Sequence, residues 1–303
     1  MPGTLLSLLT VAALALLAWG LFEAGWLRCR VLEVEIEGLP ESLDGLRIAH
    51  LSDFHLGVPS RGRVATERAV GWVAERRPDL VCITGDLVSH PRGVPLLLRL
   101  LRTLERPFVV LGNHDVAVTR DPFSRAAELD GLAEVALLLR DETVVVEHGE
   151  RRIQIVGADA ESFQRKTARP WELADAAADL RILLCHFPRI ERRLPPGAFH
   201  LVLAGHLHAG QIVLPYPGGK VTLAHPGARF VSGLYPSAGG VLHVSPGTGT
   251  TFVPFRFFAR PEVTELILRS SGVGNVAPGT HAPKDSLRSS AKRSQAPHKP
   301  PDA

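Results

Sequence analysis

The feature that most constrains this chain recurs along it: a short, mostly apolar run stops at a loop that carries carboxylate, amide or imidazole groups, in three cases opening on a glycine. Leu46–Leu51 runs into Ser52-Asp53-Phe54-His55, Leu80–Thr84 into Gly85-Asp86, and Phe108–Leu111 into Gly112-Asn113-His114-Asp115. Further on, Arg181–Cys185 stops at His186, and Leu201–Ala204 stops at Gly205-His206-Leu207-His208. Runs this short, bounded by turn residues, have the length of buried strands rather than helices. Between the first three, Val64–Arg76 and Pro95–Leu104 have helical spacing. Pro78 ends the former, and Pro95 suits the first turn of the latter. Strand, loop and helix in alternation predict an α/β layer whose ligands sit at the carboxyl ends of the strands.

The flanking segments add strands. Val31–Ile36 interleaves apolar residues with Glu33, Glu35 and Glu37, the period of a half-exposed edge strand. Thr143–Glu147 and Arg152–Val156 alternate around a turn at His148–Arg151, and a helix is expected around Trp171–Ala178. Gln211–Leu214, Lys220–Leu223 and Val241–Val244 are further expected strands. The whole reads as a two-sheet sandwich with helices outside.

Leu5–Leu27 is apolar on every side except for Glu23, and Trp19 and Trp26 mark its end. At ~1.5 Å per residue such a helix crosses a ~30 Å hydrocarbon layer. No Lys or Arg precedes it, unlike a cleaved signal peptide, so an uncleaved single-pass anchor is expected. Arg28 and Arg30 follow the span, which places the remaining chain on the cytoplasmic side of an inner (cytoplasmic) membrane. Residues 270–303 are rich in Pro, Gly, Ser and Lys with almost no large apolar side chains, and are expected to be a disordered tail. The expected division is therefore an anchor over 1–30, a catalytic domain over 31–269 and a tail over 270–303. A net charge of +3 in 303 residues is too small to argue for a nucleic-acid partner. Cys29, Cys82 and Cys185 show no C-x-x-C spacing, so neither a disulfide framework nor a structural zinc site is expected. Cys185 precedes His186 on a strand and should face the opposite side, in packing.

Taken singly, each polar loop has an ordinary explanation as a turn or a helix cap. Together, D-x-H, G-D, G-N-H-D, H and G-H-x-H in this order resemble the calcineurin-like metallophosphoesterase family, over roughly residues 45–268. The likeness is to its membrane-anchored bacterial branch, whose G-H-T-H-G-G-Q block here reads Gly205-His206-Leu207-His208-Ala209-Gly210-Gln211. Leu207 and Ala209 depart from that block at positions that do not bear ligands. Val253–Glu262 also looks like that branch.

The resemblance implies an α/β fold of four layers, α-β-β-α, with two packed mixed β-sheets flanked by helices and an N-terminal transmembrane helix. It implies a hydrolase acting on phosphodiester or pyrophosphate bonds with a hydroxide shared by two divalent metal ions. Mn²⁺ is expected first, with Fe or Zn²⁺ as alternatives, because carboxylate, amide and imidazole donors suit these ions. By resemblance Asp53, His55 and His208 hold one ion, Asn113, His186 and His206 the other, and Asp86 bridges both. His114 faces the substrate as the catalytic imidazole, and Asp115 orients it. His50, His90, His148, His200, His225 and His243 match no block and are read as structural. Arg229 and Tyr235 are polar candidates for substrate contact with nothing to rank them above others. Three functions remain open: a general phosphodiesterase, a UDP-2,3-diacylglucosamine pyrophosphatase acting on a lipid A precursor, and a membrane scaffold that kept the fold without catalysis. The partners expected are a phosphoester or nucleotide-lipid substrate and the membrane.

Overall fold

The computed structural model describes residues 2–116, 119, 121–217 and 219–271. Two six-stranded sheets face each other. The first has the order β1-β14-β2-β3-β4-β5, from β1 (Arg28–Glu37), β14 (Glu262–Ser271), β2 (Arg47–Leu51), β3 (Leu80–Thr84), β4 (Phe108–Val110) and β5 (Leu137–Leu138). The second has the order β12-β13-β9-β8-β7-β6, from β12 (Gly233–Tyr235), β13 (Val241–Val244), β9 (Leu201–Ala204), β8 (Leu180–Cys185), β7 (Arg151–Ala158) and β6 (Glu142–His148). A separate hairpin pairs β10 (Val213–Tyr216) with β11 (Gly219–Thr222). Both large sheets mix parallel and antiparallel pairs.

One apolar cluster lies between the sheets and draws on both, with Ile48, Cys82 and Val110 from the first and Ile155, Ile182, Leu184 and Leu203 from the second. The outer face of the first sheet packs under α2 (Gly62–Arg76), α3 (Val94–Leu101) and the short α4 (Leu132–Val135). The outer face of the second sheet, with Val156, Leu183, Cys185 and Val202, is covered by thinner material: α5 (Ala160–Gln164) and 3-10 turns at Pro170–Leu173 and Pro188–Arg193. The fold is the expected α-β-β-α sandwich. Cys185 is packed as its strand parity requires, and burial pushes its thiol up to about 12. The N-terminal helix α1 (Pro2–Ala24) is long and apolar enough to cross a membrane and stands almost wholly exposed.

Besides the short elements α4, α5, β5 and β12, which the sequence reading did not include, three segments differ from it. The helix expected around Trp171–Ala178 is only one 3-10 turn, because the chain bends at Asp175. Its N–H donates to Gln154 Oε1 at 2.8 Å, and its carboxylate accepts from Ala177 N at 2.9 Å and from Arg152 at 3.0 Å. β14, in the middle of the first sheet, was not expected as a strand, because Glu262 and Glu265 break its apolar pattern. Both acids are buried and paired, Glu262 with Arg28 and Glu265 with Arg47 and Arg76. β14 also runs to Ser271, so Ser270 and Ser271, placed at the start of the tail, are strand residues; 272–303 lie outside the described residues.

Candidate metal centre

The site lies where strands from both sheets end together. The loops after β2 and β3 run side by side, tied by Asp53 N to Gly85 O at 2.9 Å and His55 N to Asp86 O at 2.9 Å. The loop after β9 is fixed to the first sheet by His206 N, which donates to both Asp53 carboxylate oxygens at 3.0 and 3.1 Å. Asp53, His55, Asp86, His206 and His208 all hold positive φ, between 46° and 74°. Left-handed backbone in non-glycine residues is costly, and its concentration in one place is characteristic of sites where geometry serves chemistry. Two glycines admit the close approach. A Cβ on Gly112 would lie 2.1 Å from Asp86 Oδ1, and one on Gly205 would lie 2.0 Å from Ser52 Oγ.

These loops bring together all seven side chains singled out from the sequence. Potential ligand atoms of Asp53, His55, Asp86 and His208 lie within 4.8 Å of one another, as do those of Asp86, His186 and His206. Asn113 Oδ1 joins the second group 3.2 Å from His186 Nε2. The donors fit divalent cations. The Nε2 atoms of His55 and His208 meet at 3.1 Å, and His186 Nε2 meets His206 Nδ1 at 3.1 Å, distances at which two lone pairs repel unless a proton or cation lies between them. His186 Nδ1 donates to the Thr84 carbonyl at 2.7 Å, which directs the Nε2 lone pair inward, 3.2 Å from Asp86 Oδ2. His55 Nδ1 is likewise engaged by Ser89 Oγ at 2.8 Å.

Electrostatics give the same picture. Burial disfavours charge on Asp86, but His186, then His55 and His114, outweigh it and hold the carboxyl well below its usual range. Burial also opposes charge on His186, yet Asp86 and then Asp53 raise it to about 9. Burial pushes Asp53 up to about 7 and His55 down to about 3, and it drives His206 and His208 well below their ordinary value. Without cations the centre therefore holds one matched pair and a set of neutral imidazoles with lone pairs to give.

His114 is buried against this group, its ring 4.5 Å from that of His55, and its backbone N–H donates to Asp86 Oδ1 at 2.8 Å. The orienting role expected of Asp115 is not what its bonds show. Its carboxylate accepts from the amides of Leu87, Val88 and Gly112 at 2.8, 3.1 and 2.9 Å, and so braces two loops against each other. The His114 ring is held instead by hydroxyls: Ser89 and Ser124 at Nδ1 (3.2 and 3.1 Å) and Thr119 at Nε2 (3.2 Å). Serine and threonine outside a motif carry no signal in a single sequence, so these three were missed.

Arg256 was also missed as a site residue. It is fully buried and donates to the carbonyls of Pro246, Gly249 and Ala259, with His208 Nδ1 3.3 Å away. His225, set aside from the sequence, lines the cavity beside His206, with ring centroids 5.4 Å apart. His50 and His243 are structural as expected. They form a buried pair at 2.7 Å that bridges the two sheets, and His50 Nε2 meets Thr84 Oγ1 at 2.9 Å.

Asp86, Asn113, His114, His206, His208 and Thr251 open into a cavity of about 260 Å³. A second cavity of about 270 Å³ shares Phe187, His206 and His225 with it. Its walls include Phe163 and Phe230, and its rim Arg189, Arg192 and Arg229.

The calcineurin-like phosphoesterase family profile matches residues 46–210, more than half of the chain and the segment that carries all seven donors. The chain is 33% identical to a transmembrane protein with metallophosphoesterase domain from Danio rerio, over 88% of its own length and 63% of that protein, so it spans less than two-thirds of this relative. It is 29% identical to YkoQ, an uncharacterized metallophosphoesterase of Bacillus subtilis (75% of this chain, 85% of that one). It is 25% identical to the phosphodiesterase YaeI of Escherichia coli (81% and 90%). With the five loops closing on one centre and the profile spanning them, the chain belongs to the calcineurin-like phosphoesterase family.

Proposed function

We propose that the protein is a membrane-tethered phosphoesterase that holds two divalent metal ions and hydrolyses phosphodiester or pyrophosphate bonds. One observation carries this reading: seven donors from five loops converge in two overlapping groups that have Asp86 in common. In it Asp53, His55 and His208 hold one ion, Asn113, His186 and His206 the other, and Asp86 serves both. The mixed carboxylate, amide and imidazole donors are compatible with Mn²⁺, Fe or Zn²⁺, of which Mn²⁺ is the ion proposed first. Such a pair supplies Lewis-acid polarisation of the phosphoryl group and lowers the pKa of water.

The chain's own residues do the rest. His114 lies in the cavity wall with Nε2 toward the Thr119 hydroxyl, placed to neutralise phosphoryl charge and hand a proton to the leaving oxygen. Ser89 and Ser124 set its ring plane, and Asp115 fixes the loop that carries it. None of these positions is replaced, which argues against a scaffold without catalysis.

α1 is the proposed single-pass anchor. Arg28 and Arg30 just after it favour a catalytic domain on the cytoplasmic side of the inner membrane. Within the hydrolase reading, the adjoining cavity favours a nucleotide-lipid such as a UDP-linked lipid A precursor, because Phe163 and Phe230 give it aromatic walls for a base and Arg189 and Arg229 can meet a second phosphate.

The test uses the full chain in detergent, stripped of metal and reloaded with Mn²⁺, acting on bis-p-nitrophenyl phosphate. Hydrolysis should depend on reloading, and His114→Asn should lose about 10²–10⁴-fold in kcat while keeping its metal. Full activity in a chelated sample, or in His114→Asn, would sink the reading. UMP release from UDP-diacylglucosamine then separates the pyrophosphatase from a general diesterase.

A further inference from the structure

The strand registers put the end of α1 and the metal centre at the same end of the molecule. β1 begins at Arg28, four residues after α1, and pairs there with Glu262 of β14. β14 runs antiparallel to β2 and sets Thr264 beside His50, three residues before Asp53. The end of the sandwich from which α1 emerges is thus the end at which β2, β3, β8 and β9 deliver their loops.

The attachment of α1 is built rather than incidental. Arg256 N donates to Gly20 O at 3.1 Å, and Ala259 N to the buried Glu23 at 2.7 Å. Phe257 packs so closely on Gly20 that an added Cβ would lie 2.5 Å from its ring. The Arg260 guanidinium lies 3.8 Å over Trp26. Trp19, Phe22 and Trp26 cluster at this level, where aromatic rings mark a bilayer interface. The helix before Gly20 leaves the domain with its leucines exposed.

Around this exit the surface is apolar. Phe258 is 64% exposed, Phe123 59%, Tyr216 56%, Leu214 52% and Phe252 50%. All five hang on one segment. Phe252 N and Phe123 N both donate to Asp121, at 2.9 Å each. The β10–β11 hairpin springs from Phe257, through Val213 N to Phe257 O at 2.9 Å and Phe257 N to Gln211 O at 3.0 Å. Thr251 and Phe252 of the same segment line the catalytic cavity. A patch of large exposed aromatic and aliphatic groups is costly in water and marks a contact surface.

We infer that this collar seats on the bilayer that α1 enters, so that the mouth of the catalytic cavity faces the lipid surface and receives a phosphoester headgroup from it. Continuity with α1 selects lipid over a protein partner: the segment that carries the collar is the one bonded to Gly20 and Glu23, so these rings sit at the depth where the helix enters the apolar layer. Arg61, against Gly25, and Arg260 add positive charge at that level, which suits an anionic leaflet. The seating of the collar rests on α1 spanning the membrane, and the delivery of a phosphoester headgroup to the cavity rests also on the hydrolytic reading.

The experiment reconstitutes full chain carrying Cys29→Ser into vesicles of phosphatidylcholine and phosphatidylglycerol. An environment-sensitive fluorophore is placed at Phe258→Cys, Leu214→Cys or, at the opposite end in the β6–β7 turn, Glu150→Cys; Cys82 and Cys185 are buried and escape labelling. Labels at 258 and 214 should shift to the blue and be quenched by lipids bearing a nitroxide just below the headgroup, whereas the label at 150 should not respond. Equal behaviour at all three positions would overturn the collar. A blue shift at 258 without quenching by lipid would place the patch against protein, a second copy of this chain, and overturn it as well. Protein that fails to float with the vesicles would remove the anchor and the collar together. Phe258→Ser and Leu214→Ser should lose several-fold activity on a vesicle-embedded phosphodiester and none on soluble bis-p-nitrophenyl phosphate. If no form cleaves the soluble diester, the hydrolytic reading fails, while the quenching result still decides the collar.

Discussion

Two clusters in this protein bury acidic side chains in the first sheet or at its ends, and they settle the electrostatic problem in opposite ways. Near the amino end of β2, Glu265 of β14 is fully buried between Arg47 and Arg76. Arg47 meets its two oxygens at 3.0 Å each, and Arg76 at 2.6 and 2.8 Å. All three residues lie in regular strand or helix, and four charge-assisted hydrogen bonds saturate the carboxylate. At the carboxyl ends of the strands, Asp53 and Asp86 are equally buried, but their neighbours are imidazoles, most of them held neutral by burial, on left-handed backbone. The Glu265 cluster is complete within the chain. The other becomes complete only with added positive charge, and that is the physical difference between a stabilising network and a site built to hold cations.

The largest break in this comparison comes from Asp86→Asn. Asparagine tolerates the φ of 54° and keeps the shape, but it removes the charge that both donor groups have in common. Bound metal, measured by plasma emission spectrometry, should fall below one ion per chain, and diester hydrolysis should drop by about a thousandfold or more. Two ions retained per chain would remove Asp86 from the bridging role. Glu265→Gln sharpens the opposite side. It leaves two arginines facing a neutral amide and should cost about 3–5 kcal/mol in urea unfolding, with metal content unchanged. A variant with wild-type stability would show that the network contributes nothing net.

The two clusters also differ in how far sequence reveals them. The metal centre was readable because each block of donors begins within a residue or two of the end of an apolar run, three of them opening on a glycine, so the chemistry is written locally five times over. The Glu265 network was not, because its members are scattered at 47, 76 and 265 and each reads alone as a surface charge. For the same reason β14 stayed hidden: an acid inside an apolar run argues against a buried strand unless its distant partners are known. Asp115 shows a third case. Its place beside His114 suggested a contact with that ring, while the fold spends the carboxylate on three backbone amides. The 3-10 turn found where a helix was expected after Trp171 depends on Gln154, which lies on a strand that sequence proximity does not connect to it.

The smallest expected effect tests the comparison through pH. Burial would raise Glu265, but Arg76 and Arg47 hold it at about 2. A depressed carboxyl stabilises the fold above its unfolded value near 4.5 and loses that contribution as pH falls toward 2, whether or not metal is present. His186 behaves in the opposite sense. Raised to about 9 in the metal-free chain, it contributes fully below its unfolded value near 6.5 and loses that contribution as pH rises through 9. Asp53 and Asp115, raised to about 7, lose their contribution from about pH 4 up to 7 and add only the end of that loss here, while the buried neutral histidines oppose it weakly up to about pH 7.5, where the unfolded chain gives up its last imidazole protons. Metal-free protein should therefore lose on the order of 2 kcal/mol of unfolding free energy between about pH 6.5 and 9, read from urea melts at fixed ionic strength. Loading with Mn²⁺ should abolish that slope, because a cation then does the work of the proton on His186, whereas the acid-side slope from Glu265 should persist unchanged. A metal-free chain whose stability stays flat across this alkaline window would mean that the centre is as self-sufficient as the arginine–glutamate network, and the contrast between the two clusters would fail.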